Sequence, residues 1–265
     1  MYELKYHKAT SVADAVEALG GAEDGKVLAG GQTLLPTLKQ HLAAPSDLID
    51  IRALAELEGV RAQGDVITIG AATRHADVAL NAHVRAHIPA LAALAGGIGD
   101  PAVRAMGTIG GSLANNDPAA CYPAAVLALG ATIITDRREV AADAFFDGMF
   151  ATDLEDDEII TAVRIPVPEK AAYAKFPNPA SRYAMVGVFV AVSGGDVRVA
   201  VTGAGEDGVF RHDDLEAALD DTFAPEAVDS VDVSDEGLMG DLHGSAAYRA
   251  QLIKVMTKRA VAAAG

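Results

Sequence analysis

Two glycine-centred segments carry the densest candidate chemistry. Gly30-Gly31 follows the apolar run Lys26-Val27-Leu28-Ala29 and precedes Gln32-Thr33 and a helical pattern. A strand–glycine–helix passage leaves backbone N–H groups without intrahelical acceptors. It also aims the positive end of the helix dipole at the loop, a combination suited to phosphate. Thr33 adds a hydroxyl. The second segment, Thr108-Ile109-Gly110-Gly111-Ser112, places hydroxyls on both sides of glycines that let a ligand approach the backbone. Two such loops would clamp a diphosphate from two sides. The pairs 20-21, 96-97 and 194-195 read as plain turns.

Other reactive types are sparse. No GxGxxG follows a strand and no GxxxxGK[ST] occurs, which argues against a simple nucleoside-triphosphate enzyme. His83 and His87 are four apart, but Val84-Arg85-Ala86 lies between them without the glutamate of a metalloprotease helix; they read as a solvated face. No GxSxG elbow is present. Cys121 reads as a small buried or cofactor-lining residue rather than a nucleophile. The run Glu155-Asp156-Asp157-Glu158 reads as a solvated loop. Lys175, ahead of Phe176-Pro177-Asn178-Pro179, is either a linker lysine or the cationic partner of a bound group. Tyr183 could close over an aromatic ligand at a domain boundary.

These residues sit in a chain of 265 with 51% apolar and 22% charged residues, an ordinary globular composition. Twenty-one basic against 37 acidic residues give a net charge of −16, which disfavours nucleic acid and anionic lipid. One cysteine excludes an internal disulfide, an iron–sulfur cluster and a CxxC metal site. The start lacks a basic-then-apolar signal pattern and no run of ~18 apolar residues occurs, so a cytoplasmic location is expected.

The elements that must hold the loops follow from periodicity. Ser11 and Asp14 start a helix with Val12, Val16 and Leu19 on one face, closed by Gly20-Gly21. Residues 26–29 and 47–51 read as strands, with a helix between them bearing Leu34, Leu38 and Leu42 and Pro36 in its first turn. Strand 66–69 leads to Thr73 as N-cap of a helix with Val78 and Leu80. A short helix spans 88–95, residues 96–122 are turn-rich, and Pro123 opens a helix ending at Gly130. Strands follow at 131–135 and 159–165. Pro166, Pro168, Pro177 and Pro179 read as a linker. Beyond it come strands 186–192 and 197–201 around Gly194-Gly195, then helices 213–219 and 245–264.

Three stretches together resemble the FAD-binding medium subunit of the molybdenum hydroxylases, the family of aerobic carbon monoxide dehydrogenase and bacterial xanthine dehydrogenase. They are Ala29-Gly30-Gly31-Gln32-Thr33-Leu34-Leu35-Pro36 running on to Asp47–Ile51, Gly107–Ala120 with Gly107-Thr108-Ile109-Gly110-Gly111-Ser112 at its head, and Lys175–Ala184. Tyr248-Arg249 also looks like the family's last helix. The resemblance covers nearly the whole chain. It implies an α+β protein: a two-subdomain FAD-binding fold of the vanillyl-alcohol-oxidase (PCMH) type over 1–168, divided into about 1–53 and 54–168. A C-terminal domain over 176–265, with a three-stranded sheet and helices, would follow.

The same resemblance implies site residues. Leu28, Ala29, Gly30, Gly31, Gln32, Thr33 and Leu34, with Thr108, Ile109, Gly110, Gly111 and Ser112, would wrap the FAD diphosphate. Ile98 and Ile160 would line the flavin or adenine pocket. Lys175, Asp117 and Tyr183 would approach the cofactor, and Cys121 stands where many relatives have an acidic residue that bonds the FAD ribose. A thiol is a weak acceptor, so Asp117 or Asn116 would compensate. No catalytic side chain and no metal ligand is expected in this chain. Molybdopterin and 2Fe–2S clusters would lie in a large and a small partner subunit, two copies of each chain forming a hexamer. Electrons would pass from the clusters through FAD to a quinone, oxygen or a nicotinamide. The rival readings are a stand-alone FAD-dependent oxidase and a non-enzymatic binding module.

Overall fold

A computed structural model describes residues 1–265. Three sheets organise them. β1 (Lys5–Lys8), β2 (Gly25–Leu28) and β3 (Asp47–Asp50) form a parallel sheet in the order β1-β3-β2. The helix Val12–Gly20 crosses between β1 and β2, with the Ser11 side chain accepting from the Asp14 N–H at 3.1 Å. Ala15, Leu19, Ile49 and Ile51 form a small core beneath it with Leu54, Leu57, Ala72 and Ile159. The helix Leu34–Lys39 follows β2, so the loop 29–33 emerges at the carboxyl end of a parallel strand.

The second sheet is antiparallel: β4 (Val60–Gln63), β5 (Val66–Gly70), β6 (Thr132–Thr135), β7 (Glu139–Ala141) and β8 (Ile160–Pro166), in the order β4-β5-β8-β6-β7. The helices Pro89–Gly96 and Cys121–Ala128 share its hydrophobic core. All eight residues of the latter are buried, as an all-round apolar helix requires. That helix starts at Cys121, two residues before Pro123, so Pro123 lies inside its first turn rather than opening it.

The third sheet contains β9 (Lys170–Pro177), β10 (Ala184–Ser193), β11 (Asp196–Gly205) and β12 (Gly208–Arg211), antiparallel in the order β12-β11-β10-β9. Two expectations are corrected here. The sheet has four strands, not three. The segment between Pro166 and Pro179 is not a free linker, since it contains β9. A proline is tolerated at a strand end and on an edge strand, and β9 is both bounded by Pro177 and an edge. β10 is buried on both faces. Val186, Val188 and Val190 meet the helix Ala246–Ala264 in one core, while Phe189 and Ala191 face the helix Cys121–Ala128 in the other. The third sheet therefore packs as a shared wall between the C-terminal helices and the preceding part of the chain.

Two helices also appear inside the turn-rich stretch 96–122, Pro101–Arg104 and Ile109–Asn115. Thr73 is not an N-cap. Its buried hydroxyl bonds Gly59, and Arg74 takes the cap position. No helix is long and apolar enough to cross a membrane.

Candidate functional site

A cleft of about 880 Å³ opens between the first two sheets and is rimmed by the loop that joins β9 to β10. That volume lies in the range of sites for sizeable organic ligands, roughly 300–1,000 Å³. The cleft gathers Ala29, Gly30, Gly31, Gln32, Thr33 and Leu34 with Thr108, Gly110, Gly111 and Ser112. Ile98, Asp117, Cys121, Ile160, Lys175 and Tyr183 also line it. Two expected residues turn away. Leu28 is buried against Leu38 and Leu48, and Ile109 is fully buried in the main core. Each alternates with a cleft-facing neighbour, so its side chain must pack inward.

The two glycine loops contribute differently. In the first, the backbone N–H groups of residues 30–34 find no acceptor within the chain, and Gly31 adopts a left-handed φ of 68°. This leaves a row of donors at the start of a helix, facing the cleft. In the second, the donors are already used. Ile109 N–H bonds Thr73 O at 3.1 Å, Gly110 N–H bonds Ala71 O at 2.8 Å, and Gly111 N–H bonds Thr108 Oγ1 at 3.1 Å. Ser112 N–H bonds Thr108 O at 3.0 Å. This loop offers the Ser112 side chain and a smooth glycine surface, not a second row of N–H groups.

Glycine also brings the loops together. A β-carbon at Gly30 would lie 2.4 Å from Met106 O and 2.6 Å from the Gly107 α-carbon. One at Gly107 would lie 2.6 Å from His75 Nε2. His75 is buried, lines the cleft, and is held near a pKa of about 4 by burial and then by Arg104, so its imidazole is neutral at physiological pH. His75 was not among the expected site residues. Nothing in the residue pattern separates it from the six other histidines.

At another part of the cleft, Lys175 Nζ donates to Gly97 O at 2.8 Å and to Arg182 O at 3.3 Å, and lies 3.7 Å from Cys121 Sγ. The lysine thus ties β9 to both rims. The turn 178–183 is fastened by Asn178, whose Oδ1 accepts from Ala180 N–H, while Asn178 N–H donates to Tyr183 O at 2.8 Å. Tyr183 stands half-exposed at the mouth. Burial raises the pKa of the Asp117 carboxyl. Burial and then the nearby Asp117 raise that of the Tyr183 hydroxyl. Asp117 Oδ1 accepts from Ala119 N–H at 2.8 Å, which fixes its direction. Phe150, also missed, overhangs the same mouth with a left-handed φ of 57°, and its N–H is held by Asn116 O.

The acidic run is corrected as well. Glu155, Asp156 and Glu158 line the cleft. Glu158 is buried and paired with Arg138 at 2.7 Å. The Arg138 guanidinium holds its carboxyl at about 2, against an ordinary 4.5. A depressed carboxylate stabilises the fold fully above its unfolded pKa and loses that contribution as pH falls through the folded one. The melting temperature of the wild type is therefore expected to fall as pH drops from 4.5 towards 2. Glu158→Gln should show a flatter profile across that window. Identical slopes for the two proteins in acid melts would refute this.

Comparison with known proteins agrees with this geometry. Residues 2–168 match the family described as the FAD binding domain in molybdopterin dehydrogenase. The chain is 35% identical to the nicotine 6-hydroxylase medium subunit of Paenarthrobacter nicotinovorans, over 99% of this chain and 97% of that protein. It is 36% identical to the carbon monoxide dehydrogenase medium chain of Hydrogenophaga pseudoflava, over 98% and 96%. The solved structure of a carbon monoxide dehydrogenase from Hydrogenophaga pseudoflava that lacks the Mo-pyranopterin moiety superposes with a TM-score of 0.90. It covers 99% of this chain and 97% of that one. The row of unpaired N–H groups, the left-handed Gly31 and a cleft of about 880 Å³ suit a dinucleotide flavin, and the chain belongs to the FAD-binding medium subunits of the molybdopterin-dependent dehydrogenases and hydroxylases, oxidoreductase components that carry electrons.

Proposed function

We propose that this chain holds FAD along the cleft and carries electrons between partner subunits and an external acceptor. The observation that supports this best is the convergence of three distant segments, 29–34, 108–112 and 175–183, on one cavity. The N–H row of residues 30–34 and the Ser112 hydroxyl would hold the diphosphate. Tyr183 would face the flavin ring system, Lys175 and Asp117 would approach the cofactor, Cys121 would lie at the ribose, and Ile98 and Ile160 would pack against the cofactor. Bound FAD supplies the exchange between one-electron input and two-electron output. The protein's own work is positional. The neutral His75 braces Gly107, Lys175 locks the rims, and Tyr183 covers the mouth against water.

The PCMH-type organisation, with subdomains 1–53 and 54–168, accords with the first two sheets; the C-terminal domain on this reading starts by Lys170, where β9 joins the third sheet, rather than at 176. The partners on this reading are a large molybdopterin subunit and a small 2Fe–2S subunit, two copies of each chain, in the cytoplasm. The lone cysteine agrees with clusters held elsewhere. A tagged pull-down from the native host, with absorbance and metal analysis, tests the reading. FAD, molybdenum and iron should co-purify with two further chains. FAD on a lone chain that oxidises a substrate unaided, or no flavin at all, would refute it.

Tyr183 gives a narrower test. Tyr183→Ala is expected to change flavin fluorescence and reduction potential while the melting temperature stays near wild type, because the side chain is half-exposed and makes no core contact. Unchanged flavin signals would place the ring elsewhere.

A further inference from the structure

A buried charge with three hydrogen bonds lies outside the cleft. Arg249, on the C-terminal helix Ala246–Ala264, is 3% exposed. Its Nη1 donates to Met185 O at 2.6 Å and to Gly203 O at 2.7 Å. Its Nη2 donates to Asp241 Oδ2 at 2.8 Å, on the turn 241–244. Burying a guanidinium is costly unless donors are matched; here both Nη atoms are bonded while the buried Nε has no partner.

Both carbonyls lie just past the end of the β10–β11 ladder. β10 and β11 are paired from Gly187 opposite Thr202 to Ser193 opposite Asp196, and not beyond Gly187. β10 also slips register against β9 between Ala184 and Val186. Gly203 takes a left-handed φ of 81°, and a β-carbon there would lie 2.4 Å from Ala184 O. The ladder therefore ends while the two backbones stay in close contact, and Arg249 bonds one carbonyl from each strand just past that end.

The strand ends beyond the ladder hold two parts of the cleft. On β11, Gly203 N–H donates to Pro118 O at 2.7 Å, and Thr202 Oγ1 donates to Pro118 O at 2.9 Å and Ala120 O at 2.7 Å. This grips the segment between Asp117 and Cys121. On β10, Met185 is two residues from Tyr183, whose direction is set by the start of that strand. One guanidinium thus fixes the spacing between the Asp117 loop and the Tyr183 turn.

We propose that Arg249 is a positioning residue for the flavin end of the cleft, setting the separation of Asp117 and Tyr183 through the ends of β10 and β11 beyond their ladder. This rests on the reading that Tyr183 faces the flavin ring. Lysine cannot reproduce the fork, because a single ammonium does not span two carbonyls and a carboxylate with planar geometry.

The test uses the full chain loaded with FAD. Arg249→Lys should retain flavin, since the N–H row at residues 30–34 is remote from this change. Its flavin fluorescence yield should shift by about twofold or more, with a parallel change in reduction potential. In the double variant with Tyr183→Ala, adding Arg249→Lys should shift these signals no further, as expected when one residue acts through the other. If Arg249→Lys is too unstable to purify, Asp241→Asn reports instead. Its Oδ1 keeps the bonds to His243 and Gly244 N–H while the contact to Arg249 is lost, and it should shift the same signals in the same direction by less. A lowered melting temperature with flavin signals identical to wild type, while Tyr183→Ala moves them, would make Arg249 merely structural and overturn the proposal. Should Tyr183→Ala itself move nothing, the placement of the flavin ring fails, and the proposal falls with it.

Discussion

Gly111→Asp should yield a folded chain that no longer retains FAD. Gly111 lines the cleft, and its φ is not in the left-handed region. A β-carbon there would meet only Thr108 Oγ1 at 3.0 Å and Ala29 Cβ at 3.7 Å. The fold can absorb that crowding, because the nearer atom is a side-chain hydroxyl. The added carboxylate projects into the space opposite the N–H row of residues 30–34, where the diphosphate would lie. Two like charges about 4 Å apart repel by about 4 kcal/mol at an effective dielectric near 20. That is roughly a thousandfold in affinity. The control is Gly111→Ala, which adds the same β-carbon without the charge and should retain most of the flavin. Equilibrium dialysis against FAD, with circular dichroism to confirm folding, reads both variants. Stoichiometric FAD in the aspartate variant would remove Gly111 from the diphosphate site.

The contrast between the two glycine loops shows what a sequence can carry. Both read equally well as phosphate cradles, since each places glycines beside hydroxyl residues. The structure separates them by where the N–H groups go. Residues 30–34 leave theirs open, whereas 109–112 spend theirs on Thr73, Ala71 and Thr108. That difference depends on Ala71 and Thr73 arriving from β5, more than thirty residues earlier. Tertiary hydrogen bonding of this kind has no local signature. Leu28 and Ile109 illustrate the same limit, because a motif names a stretch while the backbone sends alternate side chains to the cleft and to the core.

Elements with strong periodicity were legible. The helix from Val12, the helix to Ala264, and the hairpin at Gly194-Gly195 appear where the pattern places them. Failures came where punctuation residues were read as breaks. Four prolines between 166 and 179 suggested a linker, yet Pro166 and Pro177 mark the ends of β8 and β9. The acidic run 155–158 reads as solvated, yet Glu158 is buried and bonded to Arg138, which reaches it from the turn between β6 and β7 beside the start of β8. A buried carboxylate cannot be recognised without its partner, and that partner is twenty residues away. Arg249 was legible only as a family likeness. Its role depends on where the β10–β11 ladder stops, which no periodicity encodes.

Gly30→Ala should be among the most damaging single-methyl additions in the cleft, and for a different reason from Gly111→Asp. The added β-carbon would sit 2.4 Å from Met106 O, 2.6 Å from the Gly107 α-carbon and 2.9 Å from Met106 C. All three are backbone atoms, so no rotamer change relieves the contact. The 29–34 loop must therefore move away from 106–107. Overpacking of this kind costs about 1–3 kcal/mol. Because the same displacement opens the gap between the N–H row and Ser112, flavin affinity should fall along with stability, by at least roughly tenfold if one such contact is lost. The two glycine variants then give opposite patterns. Gly111→Asp removes FAD with little change in the apoprotein melting temperature, whereas Gly30→Ala lowers that temperature by several degrees and weakens FAD as a consequence. Thermal melts of both apoproteins, set beside FAD titrations, distinguish electrostatic exclusion from loss of loop contact. If Gly30→Ala melts like wild type, the close approach of the two loops is not what Gly30 secures.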